Sequence, residues 1–301
     1  MNLRLHGPEP CALPSCATPR TKKPAPEILS VFAEESQVDY RGASLLNCHM
    51  EPYRKIPILK ITGDSLQAAD DLVAVEKKIR ISVNGESVLS LYCSPTMVRE
   101  FVVGIVHNEG LISGEWCAER MTIEYGDEIR VDIPSSGTVR QGERVVTSGC
   151  GGGVSFSRDE VGRVTDNASF SAGTIRGIFR EFQHRSDAYR LTGGAHSAAI
   201  SDGEKILAFA EDIGRHNAVD KVIGYCLLEN ISFGGKIMLA SGRLSSEIVN
   251  KCAVSKVPVL ASRAAPTSLA VDIAEAAGIT VVGFVRGVRM NIYSGKKRIT
   301  P

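Results

Sequence analysis

No run in this chain approaches the roughly 20 apolar residues that a membrane-spanning helix needs, which argues against a membrane protein. The N-terminal MNLRLHGPEPCALPSC carries prolines where a signal peptide needs an uninterrupted apolar region of about 7 to 15 residues. The expected location is therefore the cytoplasm. Charge of one sign is also missing: 35 Lys and Arg against 34 Asp and Glu leave a net charge of +1. So even a balance excludes bulk nucleic-acid binding, which goes with a strongly basic domain, and makes any anion site a local one. Finally, disulfide-framework spacing is absent from Cys11, Cys16, Cys48, Cys93, Cys117, Cys150, Cys226 and Cys252, which are expected to stay reduced in that compartment.

What is present is ordinary globular material. Hydrophobic residues make up 43% of the 301 and charged residues 23%, and the length suffices for a large core shared between two domains. Residues 1–50 stand apart. Prolines at 8, 10, 14, 19, 24 and 26, with Arg20, Lys22 and Lys23, leave too little apolar surface to offset ordering, so this stretch reads as a disordered or extended tail. Cys11 and Cys16 form a lone C-x4-C with no second pair; the spacing reads as incidental, a sulfur relay or metal half-site being the alternative.

Residues 72–92 give two strand-like runs around Asn84-Gly85, a dipeptide suited to a type I′ hairpin because both central residues take positive φ. A helix follows, with Pro95 in its first turn and Met97, Phe101, Val102, Ile105 and Val106 at helical spacing until Gly110. His107 and Glu109 read as its solvated end. Two or three strands over 121–146, broken at Gly126-Asp127 and Ser135-Ser136-Gly137, make 51–146 a strand-rich N-terminal subdomain. Beyond it, 147–301 alternates. A helix over 170–185 precedes a hairpin of 196–200 and 205–210; helices at 215–228, 245–255 and 267–277 then separate strands at 236–240, 257–261 and 280–285. Such alternation implies right-handed crossovers and a largely parallel sheet covered by helices.

In open α/β sheets ligands bind beyond the carboxyl ends of the strands. The loops expected there are 211–217 with Arg215 and His216, 241–243 with Arg243, 262–263 with Arg263, and 286–289 with Arg286 and Arg289. Arginine at four equivalent positions points to an anionic ligand with extended phosphates, since guanidinium groups bind phosphate in bidentate fashion and Gly242 and Gly287 permit close backbone approach. The competing reading is a salt-bridge surface between subunits, with Glu211, Asp212 and Asp220 contributing. His196 and His216 fall at the same edge, as hydrogen-bonded structural residues or as participants in chemistry.

Two cysteines invite chemical readings. Cys117-Ala118-Glu119 matches one half of the zinc deaminase signature, but the P-C-x-x-C half is missing, so no catalytic zinc is expected and Cys117 reads as a small, partly buried residue. Cys150 lies in TSGCGGGV, residues 147–154, flanked by Gly149, Gly151, Gly152 and Gly153. Glycines leave a thiol unshielded, and successive backbone N–H groups can stabilise a thiolate or persulfide.

Several long segments resemble one family: NEGLI from Asn108, TGGAHSAA from Thr192, EDIGRHNAVDKVIG from Glu211, SGRLSSEIVNK from Ser241, APTSLAVDIAEAAGITVVGF from Ala265 and RGVRMNIYSG from Arg286. The chain is similar to the formate dehydrogenase accessory sulfurtransferases (FdhD). That resemblance implies an α/β fold: a cytidine deaminase-like mixed sheet covered by helices over 147–301, with a smaller strand-rich α+β subdomain before it. It implies a homodimer that accepts sulfane sulfur from a cysteine desulfurase as a persulfide on Cys150. The acceptor would be the molybdenum or tungsten of a bis-molybdopterin guanine dinucleotide cofactor, which formate dehydrogenase requires. The guanine-dinucleotide contact maps to Phe284, Val285, Arg286, Gly287, Val288 and Arg289, joined by Arg243, Arg263 and His216 from the edge argument. One departure stands out. The family loop carries C-G-x-C, but its second cysteine position here is Gly153, so any transfer would use Cys150 alone. The same gap keeps open a cofactor-binding chaperone that moves no sulfur.

Overall fold

The computed structural model describes residues 50–139, 144–146, 154–156 and 162–301. Residues 1–49 of the tail expected over 1–50, and residues 147–153 of the glycine-rich loop, Cys150 included, lie outside the described residues, as does the domain start placed at 147. Among the described residues no helix is long and apolar enough to cross a membrane.

The first described element is a ribbon that the sequence hid. Strands β1 (Tyr53–Thr62) and β2 (Ser65–Ala74) pair antiparallel from Tyr53↔Ala74 to Thr62↔Ser65. Pro57 within β1, and a pattern with no clean alternation, concealed it. Strands β3 (Lys77–Val83) and β4 (Glu86–Cys93) form the hairpin expected at Asn84-Gly85, both turn residues having positive φ. Helix α1 (Val98–Glu109) ends at Gly110 in the left-handed conformation. After it come β5 (Ile112–Ser113), β6 (Thr122–Glu124), β7 (Ile129–Ile133) and β8 (Thr138–Val139). A four-stranded sheet of order β4-β3-β7-β6 results, parallel between β3 and β7. Its inward residues Ile79, Ile81, Ile129, Val131 and Ile133 pack with Phe101, Val102 and Ile105 of α1 in one core.

Strands β9 (Arg144–Val146) and β10 (Val154–Phe156) pair antiparallel. Then follow β11 (Phe170–Ser171), α2 (Ala172–His184), α3 (Asp187–Thr192), β12 (His196–Ser201), β13 (Ile206–Asp212), α4 (Arg215–Leu228), β14 (Ile237–Ala240) and α5 (Ser246–Val254). The described chain closes with β15 (Val259–Ser262), α6 (Ser268–Ala277), β16 (Thr280–Arg286), β17 (Arg289–Ile292) and β18 (Ile299–Thr300), the last paired parallel with β11. The large sheet has the order β13-β12-β14-β15-β16-β17.

The expectation of a largely parallel sheet needs correction. Only β14, β15 and β16 run parallel, whereas β12 is antiparallel to both of its neighbours and β17 to β16. The reason is connection length: β12–β13 and β16–β17 are joined by short turns, and short turns can only reverse a strand. Helices α4, α5 and α6 cover one face through residues such as Val219, Val222, Ile248 and Ala270. Helix α2 covers the other with Ile175, Ile178, Phe179 and Phe182. Ser171 caps α2, its hydroxyl oxygen accepting the Thr174 N–H, and Thr267 caps α6 in the same way through Ala270.

The two sheets meet where α1 crosses α4. A Cβ placed on Gly104 would lie 1.9 Å from the Asp220 carbonyl oxygen, and one on Gly224 would lie 1.8 Å from that of Glu100. The helices therefore touch backbone to backbone, and only glycine fits at either position. Buried ions bind the same seam. Lys251 of α5 pairs with Glu109 at 2.9 Å and with Asp220 at 2.7 Å, while Asn108 donates to Asp220 at 2.6 Å. Glu109 is thus buried, and the solvated helix end expected from the sequence is overturned, because α4 and α5 cover that end.

Candidate functional site

The parallel strands β14, β15 and β16 end on one edge of the large sheet. Pairing of His196 with Asp212 and of Ala198 with Ala240 brings the start of β12 and the end of β13 to the same edge. Hydrogen bonds stitch the loops there together. Ser262 Oγ donates to the Gly242 carbonyl at 2.7 Å, the Leu244 N–H to Ala265, the Phe284 N–H to Ala264, and Arg286 Nε to the Arg263 carbonyl at 3.0 Å. The edge anticipated from the alternating pattern is therefore a continuous surface.

At its centre stands Arg215, the first residue of α4. The side chain is only 8% exposed, and its Nε has no hydrogen-bond partner among the described residues. A Cβ on Gly242 would lie 3.0 Å from Arg215 Cδ and 3.4 Å from His196 Cε1, so bare backbone at Gly242 makes room for both side chains. His196 Nδ1 lies 3.1 Å from Ser241 Oγ. Burial, aided by Arg215 and His216, lowers the His196 pKa below the ordinary 6.5, with Asp212 opposing; the ring is therefore neutral at neutral pH. His216 sits deeper, its Nε2 2.6 Å from Glu247 and 3.1 Å from Ser245 Oγ. Helix α4 begins at Gly214 with no side chain of its own as cap; the Asp212 carboxylate lies at this positive end of the helix dipole, accepting the Gly214 N–H at 2.8 Å and the Asn217 side-chain N–H at 2.8 Å.

Beneath the edge the carboxylates are consumed internally. Asp212 pairs with the wholly buried Lys221 at 2.7 Å, and the Ser94 N–H donates to it. Glu211 accepts the Ala188 and Tyr189 N–H groups, and burial pushes its pKa up. Asp220 is buried against Lys251. None of the three is free for the inter-subunit salt-bridge surface considered from the sequence, and that reading is withdrawn for them.

Arg243, Arg263, Arg286 and Arg289 are all exposed, and among the described residues none of them forms an ion pair. Arg286 and Arg289 face each other across the tip Gly287-Val288, where Val288 is 90% exposed. The Arg286 guanidinium lies 5.4 Å from the centroid of the Phe284 ring, close enough for a cation–π contact. Phe284 itself has φ of 52°, a strained conformation for a bulky residue and one that clusters at functional sites. Val285 differs from its neighbours, since its side chain belongs to the core with α2 and only its backbone can face a ligand. Arg289 lines a groove of about 260 Å³ with Arg176, Met290 and Ile292.

The thiols divide sharply. Cys93, Cys226 and Cys252 are buried, and burial is the leading cause that pushes each pKa up to about 12. Cys117 is partly exposed, as expected, and its thiol donates to Glu119 at 2.8 Å. Among the described residues no cluster of three His, Cys, Asp or Glu side chains could hold a metal. Sequence reasoning named the Arg215 loop but missed that this arginine, unlike its four neighbours, is buried; its position as the first helical residue after an uncapped Gly was the available signal.

The FdhD/NarQ family model matches residues 74–300 of this chain. The chain belongs to the FdhD/NarQ family. It is 40% identical over 238 residues to a protein of Bacillus pumilus named sulfur carrier protein FdhD, covering 76% of this chain and 91% of that one. The FdhD of Thermoplasma acidophilum, under the same name, is 38% identical over 251 residues, 77% of this chain and 88% of that one. Among solved structures, a candidate formate dehydrogenase accessory protein from Desulfotalea psychrophila superposes with a TM-score of 0.68 at 26% identity, over 83% of this chain and all of the other. The family match thus spans both sheets and begins at the end of the β1–β2 ribbon.

Proposed function

We propose that the chain is a sulfur carrier for formate dehydrogenase. The observation that carries the reading is family membership together with relatives named sulfur carrier protein; the edge of unpaired arginines supports it. In this reading the Cys150 thiolate attacks the outer sulfur of a desulfurase persulfide. A new S–S bond forms at Cys150 as the donor's S–S bond breaks, and the donor cysteine leaves as thiolate. The outer sulfur then passes to the molybdenum or tungsten of the bis-molybdopterin guanine dinucleotide substrate. Cys150 departs as thiolate, and the acceptor metal supplies the two electrons that turn sulfane sulfur into sulfide. Arg243, Arg263, Arg286 and Arg289 would hold the diphosphates, with Phe284 and the Gly287-Val288 tip against the guanine. Three cysteines held as thiols near pKa 12 make poor sulfur carriers and leave the role to a residue such as Cys150.

The same reading makes the protein a cytoplasmic homodimer with a cytidine deaminase-like second domain from 147 and no catalytic zinc. Separate cores for the two sheets support the subdomain division. A cofactor chaperone that transfers no sulfur is favoured by one observation, Gly153 in place of the second loop cysteine. Mass spectrometry after incubation with a desulfurase and cysteine separates the two. A carrier gains the mass of one sulfur on Cys150 and loses it in Cys150→Ala; a chaperone stays unmodified, and that result would end the sulfur-carrier proposal.

A further inference from the structure

An unpaired buried cation is expensive, because desolvating a charge costs several kcal/mol unless a partner returns it. Arg215 meets that condition at one atom: the residue is 8% exposed, its buried Nε has no partner, and none of its nitrogens joins an ion pair among the described residues. It opens a 14-residue helix whose N-cap, Gly214, brings no side chain of its own. Beside it, Ser241 Oγ accepts the Ser197 N–H and so has its own proton free for His196 Nδ1. The imidazole proton of the neutral ring then falls on Nε2, a second donor. The nearby carboxylates cannot serve as the missing partner, since Asp212 is held by Lys221 and Glu247 by His216. Arg215, at the start of α4, and His196 both pack against the bare backbone of Gly242.

We propose that Arg215, His196 and the first turn of α4 form a seat for a compact, weakly hydrated sulfur monoanion, the terminal sulfur of a persulfide or free hydrosulfide. The existence of an anion seat rests on geometry alone; its assignment to sulfur rests on the sulfur-carrier reading. Charge and hydration decide for sulfur over phosphate. One buried positive charge is neutralised by one negative charge, and a dianion would overshoot it while giving up a tightly held water shell. Guanidinium is itself weakly hydrated, which matches it to a large, polarisable anion. The exposed arginines around the seat remain available for diphosphates, so the two ligand classes are sorted by depth.

The test uses the full chain carrying Cys150→Ala, so that hydrosulfide cannot be stored on that residue. Sodium hydrosulfide is titrated in mildly alkaline buffer, with the His196 ring resonances and the thermal midpoint as readouts. The expected result is saturable binding that shifts the His196 ring resonances and raises the thermal midpoint. Affinity should fall about tenfold or more in Arg215→Met and be partly kept in Arg215→Lys. In Arg215→Met, hydrosulfide at the concentration that saturates the wild type should leave the His196 resonances unmoved. If Arg215→Met does not fold, the Lys variant and competition by thiocyanate against wild-type binding carry the test. Inorganic phosphate that displaces hydrosulfide at equal concentration, or His196 resonances that hydrosulfide leaves unmoved, would overturn the proposal. Failure of Cys150 to gain sulfur from a desulfurase would instead end the carrier reading and leave the measured anion binding intact.

Discussion

Among individual residues, burial sets which groups can react. Cys93, Cys226 and Cys252, each with pKa near 12, are almost wholly thiol at neutral pH, and the thiolate is the nucleophile. Alkylation of the native protein with iodoacetamide should spare all three and modify them only after unfolding, as peptide mapping will show; labelling of any of them in the native state would contradict the burial described. His196 gives a pH dependence. Its folded pKa lies below the unfolded 6.5, so between these values the unfolded chain binds the proton first. The stability tied to a neutral His196 is present above about pH 6.5 and is lost as pH falls through the folded value. Urea unfolding at successive pH values should show that decline, and His196→Gln should flatten it. Charge reversal of Arg286 and Arg289 should weaken guanine-nucleotide binding in a salt-dependent manner, measured by calorimetry; unchanged affinity would remove these arginines from the ligand's path.

At the level of elements, the α1–α4 crossing is the most constrained contact in the molecule. Gly104→Ala or Gly224→Ala would place a methyl inside 2 Å of a carbonyl oxygen, so the helices must part. Overpacking of this kind costs about 1–3 kcal/mol, sometimes more, a loss readable as a lowered urea midpoint, with the double variant less than additive because both methyls prise one interface. Neither glycine looks special in the sequence. Hydrophobic spacing located α4 and the body of α1, since the apolar stripe reports which residues face inward, although α1 begins at Val98 and leaves Pro95 outside its first turn; periodicity does not report which neighbour a helix meets. For the same reason Glu109 and Asp220 read as surface charges: their partner Lys251 is distant in sequence and becomes local only on folding. The arginine edge was legible because it follows from chain alternation and strand ends. The burial of Arg215 was not, because it depends on Gly242 and His196 arriving from other strands.

For the molecule as a whole, the two sheets share their ions. Lys251 is held charged, above the ordinary lysine range, although burial opposes it, because Asp220 and Glu109 outweigh that penalty. Lys251→Met would leave two buried carboxylates facing each other, at a cost of about 3–5 kcal/mol. The deficit should shrink as pH falls. Burial raises the Asp220 pKa and the Glu109 charge adds to this; a carboxyl raised in this way destabilises the fold as pH rises through its value and ceases to do so below it, and chemical denaturation across acidic and neutral pH will test the sign. The glycine crossing also fixes the mechanics of the assembly. Where side chains interlock, a helix can slip past its neighbour by trading rotamers, the usual route to shear. Two backbones in contact leave little room for such trading, so the crossing ties the sheets into one chassis and opposes a jaw-like rocking of one against the other. Compliance during cargo exchange has to come from parts that project beyond that chassis, such as the β16–β17 tip with its outward valine.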